Sequence, residues 1–93
     1  MEKEFKIFWA DESVKQLDEL KKSKIENLDL YLTKIIELLE SIKKDPFKGL
    51  GKPEPLKEYY PKSWSRRINK KDRLIYKIEK DKVYIISIIG HYD

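Results

Sequence analysis

Ninety-three residues, 41% of them charged and none of them cysteine, suit one domain (1–93) and exclude a disulfide framework and a thiolate zinc site. The net charge of +4 is unevenly spread: Met1–Asp45 carries 9 lysines against 11 acids, whereas Pro46–Asp93 carries 9 lysines and 3 arginines against 6 acids. A positive half-chain points to an anionic partner, nucleic acid first, with a solvated lysine-rich surface as the plainer reading.

The opening Met1-Glu2-Lys3-Glu4-Phe5-Lys6 is charged and unlike a signal peptide. No apolar run approaches the ~20 residues that would span a bilayer, so the expectation is a cytoplasmic protein without a membrane partner. Glu4 to Trp9 is short, aromatic and mostly alternating, which predicts a first strand. Asp11 or Ser13 is placed to cap a helix carrying Val14, Leu17 and Leu20 on one side. After Lys21-Lys22-Ser23 a longer helix is expected, its stripe formed by Ile25, Leu28, Leu32, Ile35, Leu39 and Ile42 and widened by Ile36 and Leu38. The stripe covers fewer than three heptads, so it reads as packing within the domain and not as a coiled coil. Asp45-Pro46 ends that helix, because the residue before proline is pushed out of helical geometry.

Phe47 to Pro61 has no period and reads as a loop rich in proline and glycine. Trp64 to Ile68 then predicts a strand, Asn69-Lys70-Lys71-Asp72 a turn, and Arg73 to Glu79 the returning strand. On that return Leu74, Tyr76 and Ile78 share one face, and Arg73, Ile75, Lys77 and Glu79 the other. Lys80-Asp81 makes another turn, and the apolar Val83–Ile89 reads as a strand covered on both sides. The order is β-α-α-β-β-β: an α+β fold with a helical hairpin on one face of a small twisted antiparallel sheet, the other face partly open.

One histidine and no cysteine leave no His-rich or Cys-rich metal site, and Gly49-Leu50-Gly51-Lys52 lacks the spacing of a phosphate loop. No metal or other cofactor is expected. What remains is Glu54, Lys57, three arginines and the His91-Tyr92 pair. These types suffice for metal-free RNA cleavage: a carboxylate takes the 2′-hydroxyl proton, an imidazole protonates the departing 5′-oxygen, and guanidinium groups hold the charged phosphoryl oxygens. Pro53 and Pro55 press Lys52 and Glu54 toward extended geometry, so Glu54 sits on a stiff backbone. The alternative is a rigid surface loop with a solvated acid. Arg66 and Arg67 are adjacent and so point to opposite faces of a strand, which makes one of them a surface or salt-bridge residue. Arg73 has an alternative as an ion-pair partner of Glu79 or Asp72, His91 as a solvated histidine, and Tyr92 as a cap on the core edge. Trp64 reads as a core anchor.

Taken in order, Pro46–Lys57, Trp64–Ile68, Arg73–Tyr76 and His91-Tyr92 resemble the YoeB (Txe) family of toxins within the RelE-like superfamily of toxin–antitoxin modules. Ile7 to Ser13 resembles the family's first strand and helix start. The resemblance implies a compact microbial-ribonuclease-like fold and a ribosome-dependent mRNA endonuclease that cuts A-site codons. It also implies a cognate acidic YefM-like antitoxin and, commonly, a homodimer. Carried over position by position, Glu54 is the general base, His91 the general acid and Arg73 the arginine that stabilises the phosphate. Lys57 and Arg67 are supporting phosphate or substrate contacts, and Tyr92 is the terminal aromatic; Lys52 is added as a candidate RNA or phosphate contact. The turn before Arg73 departs from the pattern, with Lys70-Lys71 where relatives often have acids. A non-catalytic translation inhibitor, or a decayed toxin kept as an antitoxin partner, is the competing reading.

Overall fold

A computed structural model of the chain describes residues 3–57 and 62–88. Five strands form one sheet in the order β1-β5-β4-β3-β2: β1 Lys6–Trp9, β2 Glu54–Leu56, β3 Ser63–Arg67, β4 Arg73–Glu79 and β5 Lys82–Ser87. Two helices, α1 Asp11–Lys22 and α2 Leu28–Lys44, connect β1 to the rest. The α+β class and the helical hairpin on one sheet face stand as expected. The sheet adds two features. Glu54–Leu56, expected within a loop, forms β2, an edge strand antiparallel to β3. Also, β1 joins β5 in parallel, so the sheet is mixed and not wholly antiparallel as expected. Proline suits β2 because an edge strand leaves one side of its backbone unpaired, and Pro55 blunts that edge against further pairing.

The hydrophobic core lies between helices and sheet. Leu20, Ile35, Leu38 and Ile42 from the helices meet Leu74, Tyr76, Val83 and Ile85 from the central strands. Trp64 packs against this cluster, as expected, and meets Phe47 edge to face with ring centroids 5.2 Å apart. The α2 stripe is narrower than its sequence suggests: Leu38 is buried, whereas Ile36 and Ile25 are exposed, and the helix begins only at Leu28.

The start of α1 also differs from expectation. Ala10 occupies the N-cap position without a side-chain cap, while Asp11 and Glu12 complement the helix dipole in the first turn. Ser13 is buried inside the helix, its Oγ 2.7 Å from the Ala10 carbonyl and 2.8 Å from that of Ile85. It therefore joins α1 to β5. At the far end of β5, the Ile88 N–H donates to Gln16 Oε1 at 2.8 Å.

Candidate functional site

The sheet's register decides which residues share a face. Glu54 stands opposite Ser65, Ser65 opposite Ile75, and Ile75 opposite Ser87. Two residues along the same face, Arg67 stands opposite Arg73. Because side chains alternate along a strand, Glu54, Ser65, Arg67, Arg73 and Ile75 all face away from the helices. The helix-side row is Arg66 with Leu74, and Trp64 with Tyr76. Diagonal neighbours in such a ladder lie about 7–8 Å apart, somewhat less at Cβ, so Glu54 and Arg67 are side by side on this face.

Glu54 and Arg67 are exposed and Arg73 is half-buried. Neither Glu79 nor Asp72 forms an ion pair with Arg73; among the described residues the ion pairs are Lys22–Asp18 and Lys43–Glu40, both on the helices. The Asp72 carboxylate instead accepts the Tyr31 hydroxyl at 2.9 Å. Arg73 Nη1 is buried without a hydrogen-bond partner, and so are Ser63 Oγ and Ser65 Oγ. Buried polar atoms are almost always paired in folded proteins, so three orphans on one face single it out as the candidate site. Beneath them Ile75 is fully buried yet lies outside the main hydrophobic cluster, on the floor of this second face.

Arg66 and Arg67 do part to opposite faces, but Arg66 is neither a surface residue nor a salt-bridge residue. It is fully buried and all five of its N–H groups are engaged. Nε donates to the Tyr76 hydroxyl at 3.0 Å, Nη1 to Ser41 Oγ at 2.7 Å and the Leu50 carbonyl at 3.0 Å, and Nη2 to the carbonyls of Asp45 and Lys48 at 2.7 and 2.9 Å. The Tyr76 hydroxyl in turn donates its own hydrogen to the Pro46 carbonyl at 2.7 Å. The guanidinium thus sits among carbonyl dipoles at the C-terminal end of α2, where a cation is favoured. It fixes the loop that delivers β2, and with it Glu54. Burial pushes the Tyr76 hydroxyl above the usual tyrosine range, with Arg66 pulling the other way.

The two glycines ahead of β2 follow from the same packing. A Cβ on Gly49 would collide with Ser41 Oγ and crowd Arg66, and one on Gly51 would meet Leu38 Cδ2 at 2.7 Å and the Arg67 carbonyl at 3.0 Å. Lys52 is corrected as well: it is not extended but left-handed, with φ of 51°. The Arg67 N–H holds the Gly51 carbonyl at 2.7 Å, and that clamp outweighs the preference Pro53 imposes on its predecessor. Lys52 and Lys57 are exposed on either side of β2. His91 and Tyr92 lie outside the described residues. Ser63, Ser65 and Arg66 were missed as contributors; only the alternation of serine with a larger side chain in Ser63-Trp64-Ser65-Arg66 hints at them.

Solved structures that share this architecture include a YoeB dimer and a YoeB–YefM complex. A YoeB dimer from Staphylococcus aureus superposes with a TM-score of 0.80 at 30% identity, covering 96% of this chain and 99% of that one. A heterotetrameric YoeB–YefM toxin–antitoxin complex from the same species gives 0.78 at 30%, covering 95% and 98%. A mutant form of the YafQ toxin of E. coli shares the fold alone, at 13% identity and a TM-score of 0.75, covering 94% and 93%.

Residues 9–92 match the family model "YoeB-like toxin of bacterial type II toxin-antitoxin system", and the chain belongs to that family. Toxin YoeB of a Synechocystis strain is 49% identical over 61 residues, 66% of this chain and 71% of that protein. Toxin YoeB of Streptomyces coelicolor is 48% identical over 65 residues, 69% and 77% respectively. Among the described residues, no helix is long and apolar enough to cross a membrane.

Proposed function

We propose that this toxin is a metal-independent endoribonuclease that cuts mRNA in the ribosomal A site. Glu54 takes the proton from the ribose 2′-hydroxyl, and the 2′-oxygen attacks the adjacent phosphorus. The bond to the 5′-oxygen breaks, and His91 supplies the proton that this oxygen needs, leaving a 2′,3′-cyclic phosphate. Arg73 neutralises the phosphoryl oxygens as the pentavalent state forms. Lys52, Lys57 and Arg67 hold the strand, and Tyr92 stacks on a base. The observation that carries this reading is the shared face of Glu54, Arg67 and Arg73 in neighbouring register rows, with Arg73 Nη1 unpartnered.

The partners follow from the same charge distribution. We infer an acidic YefM-like antitoxin that covers the basic face, a homodimer like that of the staphylococcal YoeB, and a cytoplasmic site of action at the ribosome. The test is translation in vitro with primer extension on the mRNA. Wild type gives A-site cuts, and Glu54→Gln, Arg73→Gln and His91→Gln each cut roughly 100-fold more slowly or worse. Arrest of translation on intact mRNA would replace catalysis by blockade, and cutting by Glu54→Gln at the wild-type rate would remove the assigned base.

A further inference from the structure

A cleft of about 370 Å³ opens beside the candidate site, where α2 passes the ends of β2 and β3. Lys34 from α2, Lys52 from the loop before β2, Arg67 at the end of β3 and Lys70 in the β3–β4 turn line it, together with Gly51, Ile68 and Asn69. Four cations and no carboxylate surround one hollow, and none of the four has an ion-pair partner among the described residues. Such crowding of like charge is unfavourable unless an anion relieves it.

The turn is arranged to leave its lysines unpaired. Asn69 Oδ1 accepts the N–H groups of Lys71 and Asp72 at 2.8 and 2.7 Å, folding the turn on itself. Asp72 is the nearest acid in sequence, and its carboxylate is engaged by the Tyr31 hydroxyl. Lys52 lines the hollow from a left-handed backbone that costs a non-glycine residue about 1–2 kcal/mol. At Lys34 the surface changes sign: Lys34 also lines the adjoining cleft, together with Glu26 and Glu37. The positive track therefore has an end.

Arg67 connects the two places, since it lines this cleft and also stands opposite Arg73 on the open face. We propose that the cleft of Lys34, Lys52, Arg67 and Lys70 is a second anion subsite, holding backbone phosphates of single-stranded RNA that flank the phosphate cleaved at Glu54 and Arg73. The cations come from four separate segments around a shallow hollow, which suits a repeating backbone charge better than one enclosed phosphate. This inference rests on the RNA-cleaving reading for the identity of its ligand.

The test uses wild-type protein and 2′-O-methyl RNA, which lacks the attacking hydroxyl, with binding followed by fluorescence anisotropy across salt concentrations. For an oligonucleotide of about eight residues, Lys34→Gln/Lys70→Gln lowers affinity roughly tenfold at ~50 mM salt and reduces the log–log salt slope by about 1.4, the value for two phosphate contacts on a single strand. A dinucleotide binds both proteins equally, and the thermal midpoint is unchanged. An unchanged slope for the longer strand, equal loss for both lengths, or no binding of the longer strand to wild type overturns the subsite. Failure of A-site cutting with the length-dependent loss intact would instead sink the catalytic reading and leave the subsite standing.

Discussion

Arg67 and Arg73 face each other directly across the β3–β4 ladder, on the side of the sheet away from the helices. Like charges directly opposite each other destabilise a sheet. The pair makes sense if an anion sits over it. Arg67→Thr is therefore expected to raise the unfolding free energy by roughly 0.5 kcal/mol, since threonine also suits a strand, while lowering affinity for RNA. Urea unfolding and RNA binding on the same preparation decide it; a loss of stability would mean that Arg67 serves the fold.

Arg66 behaves oppositely. Its fork meets three carbonyls, a serine and a tyrosine, and an ammonium cannot reproduce that planar five-donor pattern. Arg66→Lys should cost roughly 3 kcal/mol or more, a large share of a small domain's total stability. The midpoint of urea unfolding should fall accordingly. Because this network holds the loop that leads to Glu54, any folded fraction should also cut RNA more slowly. A variant as stable as wild type would show that the loop has another anchor.

The contrast between these neighbours explains what the sequence could reveal. Strand parity separates Arg66 from Arg67 with no knowledge of the fold, and it correctly set Arg73 and Ile75 on the face opposite Leu74 and Tyr76. Which arginine is buried depends on carbonyls contributed 16 to 21 residues away, and no local pattern carries that information. The β2 strand escaped for a similar reason: three residues with a central proline have no period, and their pairing is decided by Ser63–Ser65. The parallel β1–β5 pair joins the two ends of the described chain and is equally non-local. Glu54 was legible as a residue but not as a strand residue.

Gly51 offers a sharper test of the loop. Its φ of 80° disfavours any side chain, and an added Cβ would press on Leu38 Cδ2, the Arg67 carbonyl and Arg66 Cβ, the last at 3.1 Å. The carbonyl is fixed by β3 and cannot retreat. Gly51→Ala should lose roughly 2–4 kcal/mol, combining backbone strain with overpacking. Gly51→Ala unfolding at the wild-type urea concentration would show that the loop can move away from β3.

Tyr31 gives the fold a dependence on alkaline pH. Burial, and then the hydrogen bond to Asp72 and that residue's negative charge, push its hydroxyl well above the usual tyrosine range. The folded state thus keeps a proton that the unfolded chain releases near pH 10. The stabilisation is complete below that pH and is lost as pH rises toward the folded-state value, because there the folded state binds more protons than the unfolded one. Tyr31→Phe should cost about 1 kcal/mol at pH 7 from the lost hydrogen bond, and should flatten the decline above pH 10 without abolishing it, since Tyr76 is shifted the same way. Urea unfolding of both proteins from pH 7 to 11 measures the two effects together. Parallel pH curves for wild type and Tyr31→Phe would remove the Tyr31–Asp72 contact from the account of alkaline stability.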